Sequence, residues 1–114
     1  MTDDVILNKC AIIERCLARI TEDYEGHAEE IETNFTRQDA IILNIQRACE
    51  ASIDLAMHVV RVRRLGLPRE SRGAFDILRT ASVMEMDLAE RMVRMVGFRN
   101  LAVHNYQAVN LEIV

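Results

Sequence analysis

An arginine, a histidine and a tyrosine lie within eight residues near the end of this chain of 114 residues: Arg99, His104 and Tyr106. A guanidinium group can hold a phosphate through two parallel hydrogen bonds, and imidazole is the side chain whose unperturbed pKa is nearest to neutrality. Together they provide the groups needed to cleave a phosphodiester without a metal ion. The spacing alone favours structural roles instead: a salt-bridged arginine, a histidine bonded to backbone at a helix end, and a tyrosine at the edge of the core.

The residues around this motif resemble a known family. Gly97-Phe98-Arg99-Asn100 followed by Val103-His104-Asn105-Tyr106 is similar to the signature of HepT-type toxins of the HEPN superfamily. The resemblance continues through most of the chain, notably in residues 41–47, 51–58, 65–68 and 71–78. It implies an all-α, up-and-down bundle of four to five helices that forms a homodimer. It also implies a ribonuclease toxin, paired with an MntA-type nucleotidyltransferase antitoxin that transfers AMP to the residue matching Tyr106.

We predict a role in RNA cleavage for the residues of the motif and for Asp54. Arg99 would neutralise charge on the phosphoryl oxygens of RNA, and His104 would act as base or acid, with no metal and no cofactor. Asn100 would orient Arg99 or donate to a phosphate oxygen. Asp54 would buttress Arg99 or fix the tautomer of His104. His58 shares a polar stripe with Asp54, and this stripe could border the cleft. The alternative interpretation is that His58 lies on an exposed helix face and makes a local contact with Asp54. The other members of this stripe are Asn44, Arg47 and Arg61.

Size and composition favour one helical domain over residues 1–114. Half of the residues are hydrophobic, and one proline, four glycines and few aromatic residues suit long helices better than a sheet. No stretch approaches the roughly 20 apolar residues of a membrane span, so we expect a cytoplasmic protein. Cys10, Cys16 and Cys49 are an odd set on largely apolar helical faces and predict free thiols.

Charge is distributed unevenly along the chain. The net charge of −4 combines −7 over residues 1–60, +4 over residues 61–99 and −1 over residues 100–114. All nine basic residues of the middle segment are arginines, which could form a positive surface for a phosphate chain or a solvated helix face. They are Arg61, Arg63, Arg64, Arg69, Arg72, Arg79, Arg91, Arg94 and Arg99.

Apolar spacing predicts where the helices lie. The first should run from about Asp3 to Asp23, with a face of Ile6, Cys10, Ile13, Leu17, Ile20 and Tyr24. A turn or short irregular helix should follow between Gly26 and Thr33. The second helix is apolar on so wide a surface that it should contact several neighbours, one of which could be a second copy of the chain. Its predicted apolar residues are Ile41, Ile42, Ile45, Ala48, Cys49, Leu55, Ala56, Val59 and Val62.

Capping signals predict the helix ends. Thr36 with Asp39 should open the second helix, and Gly66 and Pro68 should follow its end. Ser71 should cap a short helix. Ser82 with Glu85 resembles a capping box that opens the last one.

The spacing of the motif constrains how its groups can meet. Five helical steps put Arg99 and His104 about 140° apart on a straight helix. Either the helix is distorted or begins near Gly97, or two chains complete the site across a twofold axis. Gly97 itself should either break the preceding helix or let another backbone come close. The chain also ends where family members begin one more helix. The alternative function is a non-catalytic helical module that binds a nucleotidyltransferase or a nucleotide.

Overall fold

The computed structural model describes residues 3–27, 29 and 33–104, the last three of them by their backbone. Within these ranges every regular element is helical, which confirms the all-α class. The helices are α1 (Asp4–Tyr24), α2 (Phe35–Val62), α3 (Ser71–Thr80) and α4 (Met86–His104). None of the described helices combines the length and the apolar character that crossing a membrane requires.

The first two helices form an antiparallel pair. The Lys9 ammonium lies 3.2 Å from the Asp54 carboxylate, and Arg37 donates to the backbone carbonyl of Asp23 at 3.2 Å near the other end. These contacts pair the middle of α1 with the second half of α2 and the end of α1 with the start of α2. The pairing fixes which side chains of the two helices share a groove.

The main core is formed by α2, α3 and α4. Its buried members from α2 are Ile53, Ala56 and Val60, and Phe75 is the largest side chain with almost no exposed surface. The other buried members are Ala74, Leu78 and Val96. Helix α2 therefore contacts α1, α3 and α4 within one chain. These three neighbours account for most of its wide apolar surface without a second copy, although Leu43 and Val62 remain exposed.

The buried face of α1 differs from the predicted one. Ile6, Cys10, Ile13 and Ile20 are half-buried as expected, but Leu17 and Tyr24 are each 53% exposed. Cys16 is the buried residue of this helix instead. The predicted apolar stripe had the right period. In the second half of α1, however, the face that contacts α2 is displaced by one residue, from Leu17 to Cys16.

The starts of three helices also correct the capping predictions. Asn34, not Thr36, caps α2, because its side-chain oxygen accepts from the backbone N–H of Arg37 at 3.1 Å. Ser71 is the first residue of α3 rather than its cap, and the capping position is held by Glu70 without a side-chain hydrogen bond. The region of Ser82 and Glu85 lies before α4, which begins at Met86. The prediction for residues 26–33 falls largely outside the described residues.

Helices α2 and α3 end in the same way, on a residue in the left-handed backbone conformation. Arg64 has φ 53° and Ser82 has φ 62°. Behind each, the next backbone N–H bonds back to the helix: Leu65 to the Val60 carbonyl and Val83 to the Leu78 carbonyl, both at 2.9 Å. This is the Schellman pattern, in which the left-handed position usually holds glycine. Ser82 thus terminates α3 instead of opening α4.

Candidate active site

Arg99 projects from α4 onto the middle of α2, where Glu50 holds it. Its Nε–H donates a short hydrogen bond to the Glu50 carboxylate, and Nη1 donates to the Asn100 side-chain oxygen at 2.9 Å. The Arg99 side chain is 28% exposed. Among the described residues nothing bonds to Nη2, so the outer edge of the guanidinium keeps donors available to a ligand.

Asn100 makes the contact that one of its two predicted roles, orienting Arg99, requires. The two residues are adjacent in one helix, and the Asn100 amide oxygen fixes the guanidinium plane from the opposite side to Glu50. A guanidinium anchored at two of its three nitrogens loses little further freedom on binding, which is the advantage of a preorganised site.

Asp54 does not buttress Arg99 in this structure. Its carboxylate pairs with Lys9 at 3.2 Å, and Glu50 is the acidic residue that contacts Arg99. The two carboxylates lie one turn apart on α2, so the sequence pointed to the correct face but to the wrong turn. Only the packing of α4 against α2 decides which turn faces Arg99.

Glu50 was missed as a functional residue. The sequence did carry a signal, because Glu50 is the one charged side chain between Arg47 and Asp54, flanked by Cys49 and Ala51, which are 3% and 4% exposed. A carboxylate between two buried residues of a helix indicates a position that faces a neighbouring element, where a cationic partner can pair with it.

Cys49 lies next to this ion pair and is buried. Burial raises the pKa of its thiol to about 11, the negative charge of Glu50 raises that pKa further, and Arg99 opposes the shift. The thiol is protonated at neutral pH and is not a nucleophile. Cys10, Cys16 and Cys49 are all free thiols, as the sequence predicted.

His58 belongs to a separate buried contact. Its Nε2 lies 2.7 Å from the carboxylate of Asp3, and Arg61 approaches its Nδ1 at 3.2 Å. The expectation of an exposed histidine beside Asp54 is wrong, because the imidazole is 9% exposed and its acidic partner is the N-cap of α1. This hydrogen bond holds the pKa of Asp3 below its usual value. His58 fastens the start of α1 to α2 rather than bordering a cleft.

Helix α4 is continuous through the described part of the motif, from Gly97 to His104. Gly97 does not break it, and the nearest atom to a side chain added at Gly97 would be a guanidinium nitrogen of Arg72, not a backbone atom. His104 is the last residue of α4 that the structure describes. Its backbone position is therefore about 140° around the axis from Arg99 and about 7.5 Å further along it. Tyr106 lies outside the described residues.

Comparisons with known proteins identify the family of this chain. The model of the family described as Ribonuclease HepT-like matches residues 13–114. The chain is 46% identical over 112 residues to the mRNA nuclease HepT of Shewanella oneidensis, covering 98% of this chain and 84% of that protein.

Solved structures are similar over almost the same extent. One is a crystal structure of a toxin–antitoxin with AMP-PNP, with a TM-score of 0.92 and 44% identity, covering 97% of this chain and 83% of that one. Another is the tri-AMPylated HEPN toxin of Shewanella oneidensis in complex with MNT antitoxin, also with a TM-score of 0.92 and 44% identity, covering 98% and 84%. The family model that matches residues 13–114 and the 46% identity to an mRNA nuclease HepT show that the chain belongs to the HepT-like family of the HEPN superfamily.

Proposed function

We propose that this protein is the ribonuclease toxin of a toxin–antitoxin pair and that it cleaves RNA without a metal ion at Arg99 and His104. The observation that carries the proposal is the anchored guanidinium of Arg99, which keeps outward donors in a chain 46% identical to an mRNA nuclease. Donors fixed before the reaction stabilise the charge that develops on a phosphoryl group more effectively than donors that must reorganise.

The reaction we propose is an internal transesterification. His104 removes the proton of the ribose 2′-hydroxyl, whose oxygen bonds to the adjacent phosphorus. The bond from phosphorus to the 5′-oxygen breaks, and that oxygen takes a proton from a second histidine in its imidazolium form, which becomes neutral. The products are a 2′,3′-cyclic phosphate and a 5′-hydroxyl end. Arg99 donates to the non-bridging oxygens throughout.

A homodimer supplies the second imidazole and removes a geometric difficulty. On a continuous α4, Arg99 and His104 of one chain are about 140° apart, so one straight helix does not direct both at one phosphate. A twofold axis beside the ends of two α4 helices brings two arginines and two histidines into one cleft.

Glu50 has a positioning role in this proposal. The negative charge of Glu50 offsets the positive charge of Arg99. The pair therefore acts through the directed N–H donors of Arg99 rather than through net charge. Glu50→Ala removes the anchor, whereas Glu50→Gln keeps an oxygen that can accept from Nε. We expect kcat to fall in Glu50→Ala with KM little changed, and Glu50→Gln to recover part of the loss. Equal losses in both variants would contradict positioning by the hydrogen bond.

Cleavage of total cellular RNA in EDTA tests the nuclease activity. The purified protein, free of any partner, is compared with Arg99→Ala and His104→Ala variants that circular dichroism shows to be folded. We expect cleavage by the parent and none by either variant. A folded dimer that does not cleave RNA would favour the alternative, a binding module for a nucleotidyltransferase or nucleotide. The same conclusion follows if His104→Ala loses only partner binding.

Control by the antitoxin is the second part of the proposal. A structural relative is a tri-AMPylated toxin bound to MNT antitoxin, and Tyr106 is the tyrosine of the motif in this chain. Nucleotide added two residues after His104 would exclude an RNA phosphate by charge and bulk. Intact mass after incubation with an MntA-type nucleotidyltransferase and ATP should increase by whole AMP units. A gain that persists in Tyr106→Phe would assign the modification elsewhere.

A further inference from the structure

Three arginines from the acidic half of the chain converge on one pocket between α1 and α2. Residues 1–60 contain only five basic side chains, and Arg15, Arg19 and Arg47 are three of them. They line a pocket of about 240 Å³ together with Ile12, Cys16 and Asn44. The lining contains no acidic residue, although the surrounding sequence is strongly acidic.

None of these three guanidinium groups is neutralised in the part of the chain that the structure describes. No carboxylate there lies within ion-pair distance of any of them. Arg15 and Arg19 are four residues apart on α1, a spacing at which like charges destabilise a helix by about 0.2–0.5 kcal/mol. Arg47 adds a third positive charge from α2. An arrangement that weakens the free protein in this way is expected where the charges serve a ligand.

The chemistry of the pocket specifies an anion with several acceptor oxygens. Three guanidinium groups offer donors in planar forks, which match the oxygens of a phosphate. The Asn44 amide nitrogen donates to the Ala40 carbonyl at 2.9 Å, which holds that side chain in place. Ile12 and Cys16 give the pocket an apolar floor.

The position of the pocket relates it to Arg99. Arg47 precedes Glu50 by three residues on α2, so the two lie about 4.5 Å apart along the axis and about 60° apart around it. Glu50 in turn holds Arg99. Arg47 of the pocket and Glu50, the residue that contacts Arg99, thus lie within one turn of each other on α2.

We propose that the pocket of Arg15, Arg19 and Arg47 is a phosphate-binding subsite that holds the RNA backbone next to the scissile phosphate at Arg99. This proposal rests on the proposed ribonuclease function, and it assigns part of the binding of the RNA substrate to α1 and α2. It differs from the surface suggested by composition, which lay in the arginine-rich segment 61–99.

Binding of an uncleavable RNA tests the subsite independently of catalysis. A short oligonucleotide with 2′-O-methyl groups at every position lacks the attacking hydroxyl, and fluorescence anisotropy gives its affinity over a series of salt concentrations. Replacing Arg15, Arg19 and Arg47 together by glutamine should weaken binding by about 10-fold. It should also reduce the slope of log affinity against log salt by about 1, since each phosphate contact on a single strand contributes about 0.7.

A matched variant separates the pocket from general electrostatics. Replacing Arg79, Arg91 and Arg94 by glutamine removes the same charge from the exposed surface of the arginine-rich segment. A loss of affinity in this control as large as in the pocket variant would overturn the proposal, as would RNA binding that the pocket variant leaves unchanged. Lysine at the three pocket positions keeps the charge but loses the forks, so we expect partial recovery.

Two further readouts keep the result interpretable. Circular dichroism establishes that the triple variant is folded, and Arg47→Gln alone should show a smaller loss in the same direction. If the parent binds the uncleavable RNA through the pocket but cleaves no RNA, only the proposed nuclease activity fails. If it cleaves RNA while the pocket variant binds and cleaves normally, only the subsite fails.

Discussion

Alanine in place of Gly97 should stabilise this protein, although the glycine lies two residues before the proposed catalytic arginine. Gly97 is in the interior of α4, well away from both ends of a helix of 19 residues. Glycine in such a position costs about 0.8–1.0 kcal/mol relative to alanine, because the unfolded chain has more backbone freedom to lose. That propensity difference sets the expected gain.

The surroundings of Gly97 add no steric penalty. The nearest atom to an added Cβ would be a terminal nitrogen of Arg72 at 3.6 Å, an ordinary van der Waals contact with the end of a flexible side chain. We therefore expect Gly97→Ala to raise the free energy of unfolding by about 1 kcal/mol, and Tm by about 3–6 °C for a domain of this size.

Thermal unfolding followed by circular dichroism measures this effect, and Gly26 provides the matched control. Gly26 has φ 73° and nothing within 4 Å of an added Cβ, so Gly26→Ala should lower Tm through backbone strain alone. A lower Tm in Gly97→Ala would refute the reasoning. If that loss also depended on protein concentration, a second chain would contact α4 at this position.

Three further predictions follow from local features of the structure. Because Ser82 is in the left-handed conformation that ends α3, Ser82→Gly should raise Tm and Ser82→Val should lower it. An unchanged Tm in both variants would contradict the left-handed conformation of Ser82. The lowered pKa of Asp3 makes its contact with His58 stabilising above the unfolded value of 3.8, an effect lost as pH falls through the folded pKa. Unfolding midpoints over pH 2–6 should thus depend less on pH in Asp3→Asn, and identical profiles would count against the contact. With a thiol pKa of about 11, Cys49 should resist a thiol-specific disulfide reagent at pH 8 until the chain is unfolded, whereas half-buried Cys10 should react earlier. Peptide mass identifies which cysteine is labelled, and fast labelling of Cys49 would contradict its burial.

Much of the helical framework could be predicted from the sequence because its causes are local. The apolar period located α1 to within one residue at each end. Capping was less predictable, since Asn34 and Thr36 are both good caps and two residues apart. Ser82 was misassigned because a serine before a helix suggests a cap, while its backbone conformation belongs to the preceding helix.

The sequence by itself determined the four helices and placed Arg99, Asn100 and His104 on one of them, because helical hydrogen bonds and periodicity depend on residues about four apart. The tertiary structure alone decided the partners of the polar side chains. Glu50 contacts Arg99 across 49 residues of sequence, and Asp3 contacts His58 across 55. The pocket of Arg15, Arg19 and Arg47 forms only when α1 packs against α2. Such contacts depend on how the helices pack, and a count of charges along the chain does not contain that information. The count places positive charge in residues 61–99, whereas the three-arginine pocket lies in the acidic first half of the chain.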